Sequence, residues 1–140
     1  MSTIVTRAGK GSPLTHNELD ANFNNLNTDK AGYIAGEGGA VVQATSKATG
    51  VTLNKRCGDI TLNNAALAAS TNVAFTLTNN TIAATDIVVV HHVSAGTAGA
   101  YTLTAQPAAG SATITVRNVT AGSLSEAIVL RFAVIKAANT

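Results

Sequence analysis

Two aspartates, a pair of consecutive histidines and one cysteine are the side chains of this 140-residue chain whose types could carry a reaction. The seven acidic residues, Glu18, Asp20, Asp29, Glu37, Asp59, Asp86 and Glu126, are dispersed. Hydrolysis by paired carboxylates needs two of them facing each other across a cleft. Asp59 with Asp86 is the pair to consider, but aspartate beside strand-like runs reads as turn chemistry. His91 and His92 point to opposite faces if they lie on a strand, so they do not chelate one ion within a chain. One of them is expected toward the core or a subunit interface, and the other toward solvent. A ring of histidines about a threefold axis is the remaining route to an ion site. Cys57 follows Lys55-Arg56, which favours the thiolate, yet nothing nearby supplies the base and orienting group of a nucleophilic pair. Gly9-Lys10-Gly11-Ser12 lacks the first glycine, the Lys-Ser adjacency and the preceding strand of a phosphate loop. The expectation is a non-enzymatic chain with no cofactor and no metal.

Composition points the same way. Hydrophobic residues make up 46% of the chain and charged residues 11%, well under the usual quarter. Thr, Ser, Asn, Ala and Gly fill the gap, as in a β-rich structural protein with a neutral, hydroxylated surface. Disorder is disfavoured, because it needs low hydrophobicity and high charge. The nine Lys and Arg are scattered around a net charge of +2, and no basic stripe with interleaved aromatics marks a nucleic-acid binder. The apolar run at 87–93 is too short to cross a bilayer. No charged segment followed by an apolar one opens the chain, so synthesis in a cytoplasm without a secretory signal is expected. The sequons at Asn79 and Asn118 then read as turns and polar strand positions.

Residues 12–27, SPLTHNELDANFNNLN, are the one clear helix signal. Thr15 as N-cap with Glu18 three residues on forms a capping box, and Leu14 with Leu19 a hydrophobic staple. Leu19, Phe23 and Leu26 recur at i, i+4, i+7 as a narrow apolar stripe. Residues 1–12 are an arm with one extendable piece at 3–6, and a Gly-rich connector ends near Gly39. This divides the chain into an arm, short helix (about 15–27) and linker at 1–39 and a β-domain at 40–140. Strands are expected at 41–46, 51–53, 59–63, 72–78, 86–93, 101–105, 111–119 and 127–136, separated by turn residues. Cys57-Gly58 and Gln106-Pro107 read as turns, 64–70 stays open between loop, helix and strand, and 86–93 reads as the central strand. About eight short strands over a hundred residues predict a mostly β, antiparallel β-sandwich, jelly-roll-like in layout.

The opening VTRAGKGSPLT at 5–15 with ELDANFNNLNTDK at 18–30 resembles the N-terminal anchor of tailed-bacteriophage virion proteins. QATSK at 43–47, GVTLNK at 50–55, VRNVTAGSLSEA at 116–127 and FAVIK at 132–136 resemble a β-domain of phage and prophage structural proteins. The resemblance implies a virion component, often a homotrimer, made in the bacterial cytoplasm and attached by its N-terminal segment. No shaft of heptads or triple-helical repeats separates anchor and domain, which favours a capsid decoration or cement protein bound to the major capsid protein. The alternative is a tail or collar component, a short fibre, tip or adaptor, that binds tail or portal-complex proteins or a host glycan. Docking contacts are expected from Leu14, Leu19, Phe23 and Leu26, with Arg7 and Lys10 of the arm. Neither nucleic acid nor membrane is an expected partner.

Overall fold

Apolar residues at every second position of the last hundred residues build two four-stranded sheets packed face to face. The computed structural model describes residues 4–29 and 36–137, with side chains through residue 24 in the N-terminal part. The chain divides into two compact units, Met1–Tyr33 and Ile34–Thr140.

In the first unit α1 (Arg7–Lys10) is a single turn, where the sequence suggested only an extendable arm. Thr6 caps it by accepting the Gly9 N–H, and Gly11 ends it in the left-handed conformation at φ 73°. α2 (His16–Asp29) follows the expected helix. Its capping box is in place: Glu18 N–H donates to Thr15 Oγ1 at 3.2 Å, and Thr15 N–H donates to Glu18 Oε2 at 2.7 Å. Asn22 closes the unit from inside α2. Its side chain accepts the Val5 N–H at 2.8 Å and donates to the Val5 carbonyl at 2.7 Å.

The second unit holds β1 (Ala40–Val42), β2 (Val51–Thr52), β3 (Cys57–Thr61), β4 (Asn72–Thr78), β5 (Ile87–Ser94), β6 (Tyr101–Ala108), β7 (Ser111–Asn118) and β8 (Val129–Ile135). Sheet one has the order β1-β3-β8-β5 and sheet two β2-β4-β7-β6. The expected β-sandwich is thus the observed architecture. Pairings β3/β8, β5/β8, β4/β7 and β6/β7 are antiparallel, while β1/β3 and β2/β4 are parallel. The parallel pairs arise because β1 to β4 alternate between the sheets, so each strand returns to its own sheet after an excursion through the other. They take the layout away from an all-antiparallel jelly roll.

Alternation sets the core. Phe75 and Leu77 of β4, Ala112, Ile114 and Val116 of β7, and Leu130, Phe132 and Val134 of β8 are buried between the sheets. Three local expectations change. β5 lies at the edge of sheet one rather than at its centre. Gln106 and Pro107 lie inside β6, and the turn comes at Ala109-Gly110. Proline is tolerated there because β6 is an edge strand, where its missing N–H removes no ladder bond. Cys57 and Gly58 open β3 instead of forming a turn; a Cβ on Gly58 would meet the Gly39 carbonyl oxygen at 2.6 Å and Leu53 Cδ2 at 2.7 Å. The open segment 64–70 contains no regular element and is tied down by a bridge between Leu67 and Leu124.

Buried polar residues hold the connections. Asn118, fully buried, donates to the carbonyls of Leu67 (3.0 Å), Ala68 (3.2 Å) and Gly122 (2.7 Å), and accepts from Thr120 N–H (2.9 Å) and Oγ1 (2.7 Å). Asn79 repeats the pattern with Thr81 and the Lys55 carbonyl. Both sequon-like triplets are therefore Asn-centred turns whose amides are already occupied. In the QATSK stretch, Gln43 bonds the Lys47 and Thr49 carbonyls and the Asn63 N–H. Lys47 reaches across to the carbonyls of Asn63 and Glu126. Burial pushes the Lys47 ammonium down, and the charge of Glu126 opposes the shift.

Candidate docking surfaces

The reactive side chains singled out above do not converge. Asp59 lies on β3 opposite Arg131 of β8, whose Nε and Nη2 donate to its two oxygens at 2.7 and 2.8 Å. The bond to Arg131 lowers the Asp59 carboxyl from its ordinary value against the effect of desolvation. Asp86 precedes β5, where Ile87 pairs with Ile135. That is roughly five residues along β8 from Asp59, about 17 Å at ~3.4 Å per residue, too far for carboxylates sharing one bond to be cleaved. Asp86 is buried and accepts from Lys136 Nζ at 2.6 Å and Ala83 N–H at 2.7 Å. Burial pushes its carboxyl up, but these donors more than offset that and leave it below the usual range.

His91 is exposed on the outer face of β5, and His92 turns toward the rim of the sandwich, as alternation requires. His92 meets Tyr101 edge-on with ring centres 5.8 Å apart, and its Nε2 lies 3.0 Å from the Ser94 carbonyl. Both rings line an open depression of about 250 Å³ formed by the loop between β5 and β6. Glu126 organises that loop, accepting from Thr97 N–H (3.1 Å), Thr97 Oγ1 (2.6 Å) and Tyr101 Oη (2.8 Å). Burial and this carboxylate together push the Tyr101 phenol well above its ordinary value, so it is a proton holder rather than a base. Among the described residues no three His, Cys, Asp or Glu side chains gather to hold a metal ion. Cys57 and His91 share the outer face of sheet one but are separated by the β8 strand and one register row, beyond thiolate–imidazole reach.

Exposed apolar surface is the more informative feature, and it occurs in each unit. On α2, Leu19 is 43% and Phe23 63% exposed, with Ile4 of the arm at 45%. Leu14 is half-buried, and the Leu26 side chain lies outside the described residues. Arg7 is exposed. Lys10 is drawn inward to Glu18 Oε2 at 2.5 Å; this bond and the two from Thr15 lower the Glu18 carboxyl to about 2. The expected apolar stripe therefore faces outward at Leu19 and Phe23 on a helix whose start is pinned.

In the second unit the two outer faces differ. Sheet two obeys apolar-in, polar-out: Thr76, Thr113 and Gln106 form one outward row, and Ala74, Thr115 and Thr104 the next. Sheet one does not. Ile87 with Ile135, and Val89 with Ala133 and Cys57, form outward apolar rows, crossed by one polar row, His91-Arg131-Asp59. Ile87 is 55% and Ile135 46% exposed. In the sequence, apolar residues at both parities of 87–93 read as a central strand, whereas the structure places β5 at the edge of its sheet. The signal was real, but it marks a strand apolar on both faces at a sheet edge. No protein-family model, no curated protein and no solved structure matches this chain.

Proposed function

We propose that this chain is a non-enzymatic structural protein of a tailed-phage virion, a decoration or cement protein that binds the major capsid protein through its N-terminal unit. The observation that carries the reading is the pairing of an anchor-like sequence at 5–30 with an outward Leu19–Phe23 stripe on a helix fixed by its capping box. A helix of this kind needs a surface to lie on. Leu19 and Phe23 are 43% and 63% exposed, so burying what remains on a partner contributes about 1.5–3 kcal/mol, from ~1.5–3 per fully exposed side chain, less the entropy of ordering the arm. Arg7 adds an exposed cation in the same unit. Many copies on a capsid lattice multiply a modest single contact through avidity. The dispersed carboxylates, with Asp59 and Asp86 each ion-paired, support a binding rather than a hydrolytic role.

The test is a Leu19→Ser/Phe23→Ser double variant supplied to particles that lack the protein. Loss of particle binding with an unchanged β-sheet circular dichroism spectrum is expected, and retained binding overturns the assignment. Antibody against the 40–140 domain, viewed on intact particles by electron microscopy, tests the location. Label over the whole head supports the capsid role. Label confined to the tail or neck replaces it with the tail-component reading.

A further inference from the structure

We propose that the outer face of sheet one is covered by the same face of a second copy of this chain, packed sheet on sheet about a twofold axis that runs along the strands between β3 and β8. Antiparallel sheets with one face in water read apolar-in, polar-out, and sheet two does so. β5 and β8 instead carry apolar residues at both parities: Val88 and Val134 are buried while Ile87, Val89 and Ile135 project outward. Apolar residues on both faces are what a sheet covered on both sides requires.

Charge selects a second copy as the cover. The only ion pair on this face among the described residues is Asp59 with Arg131, on adjacent strands and in one register row. An axis between those strands lays β8 of one copy over β3 of the other, so Arg131 of each copy stands over Asp59 of the other. Two pairs then form a closed square of alternating sign, whereas an apolar surface would desolvate the pair and give it no second partner. The Arg131 side chain is 62% exposed and so remains available to a second carboxylate. The same axis lays β5 over β1, whose outward residue in the row of His91 is the small Ala40.

Area sets the strength. The four strands of sheet one contain 3, 5, 7 and 8 residues. The axis lays the longer β5 and β8 over the shorter β1 and β3, so at ~3.3 Å per residue and ~4.8 Å between strands the shared flat footprint is about 250 Å² per copy. Even with side-chain relief this falls at the small end of specific interfaces, near or below ~1,200 Å² in total. The contact is therefore a weak, concentration-dependent one, suited to copies held close together rather than to a permanent dimer.

Sedimentation equilibrium of the full chain from about 10 μM to about 1 mM is the experiment. The mass is expected to rise with concentration to an even multiple of the 14.1 kDa chain; a trimer formed elsewhere in the chain would pair into a hexamer. Arg131→Asp and Asp59→Arg each place like charges at the crossing, and each is expected to weaken pairing at least tenfold. Mixed in equal amounts they are expected to pair again, because one copy brings two carboxylates and the other two guanidinium groups. An exposed ion pair contributes little to folding, so both variants are expected to keep the sheet spectrum. Val89→Asp, on the same face, is expected to abolish pairing and carries the test if either charge variant fails to fold. A mass that stays constant over the range, an odd multiple, or a mixture that does not pair overturns the proposal.

Discussion

Replacing Asn118 by alanine is expected to cost about 3–4 kcal/mol. The side chain has no solvent exposure and takes part in five hydrogen bonds, three as donor and two as acceptor. Its two N–H groups are shared among three carbonyls, and the one Thr120 hydroxyl proton turns to the Gly122 carbonyl when Asn118 is removed, so the net loss is three to four bonds, at ~1 kcal/mol each. The carbonyls are not all orphaned by the change. Leu67 still accepts from Leu124 N–H, Ala68 from Thr71 Oγ1, and Gly122 from Thr120 Oγ1. The full penalty for a stranded polar group therefore falls only on Thr120 N–H, which is partly accessible to water. For a domain of this size ~1 kcal/mol moves the midpoint by ~4–8 °C, so the melting temperature should fall by about 12–30 °C. The chain contains no tryptophan, so unfolding is best followed by circular dichroism in the sheet band. Asn80→Ala is the matched control: Asn80 is exposed and uses only its backbone N–H, toward Asn54, so its midpoint should move within ~0.5 kcal/mol. A loss below ~1 kcal/mol for Asn118→Ala would refute the claim that this asparagine ties the segment 67–72 to the end of β7.

Two further outcomes follow from the same packing. Asp86 titrates below its ordinary value in the folded chain, so the unfolded chain takes up its proton first as pH falls. Its stabilising effect is present above the unfolded carboxyl value near ~3.9 and is lost as pH drops through the lower folded value. The stability gap between wild type and Asp86→Asn should therefore be widest at pH 7 and shrink progressively as pH falls below ~3.9 in thermal melts; a gap independent of pH would contradict the Asp86–Lys136 pairing. Gly58→Ala places a methyl 2.6 Å from the Gly39 backbone oxygen, which must shift. Overpacking of this sort costs ~1–3 kcal/mol, and urea denaturation showing no loss would mean that β1 and β3 are not held as close as described.

Much of this protein was legible along the chain, because the information concerned is local. Thr15 and Glu18 are three residues apart, so a capping box can be read without knowing what surrounds it. The alternation of Ala112, Ile114 and Val116 with Thr113, Thr115 and Arg117 reports in and out at each step, whatever strand lies alongside. The segments expected as strands overlap all eight observed ones for that reason. The neighbours of each strand were decided only by the tertiary structure. β5 looked central because its residues are apolar at both parities, and periodicity does not say whether a second apolar face is covered by the same chain. Pro107 looked like a turn because its edge position, the one place a strand tolerates it, is a property of the sheet. The Asn118 and Asn79 plugs were invisible, since their partners at Leu67 and Lys55 lie 51 and 24 residues away. Asp59 and Arg131, 72 residues apart, became one charged row across an apolar face only when β3 and β8 paired. Local residue order thus determined the elements and which side of each is apolar. Long-range pairing decided which of those sides are left facing outward, and these are the surfaces available for assembly.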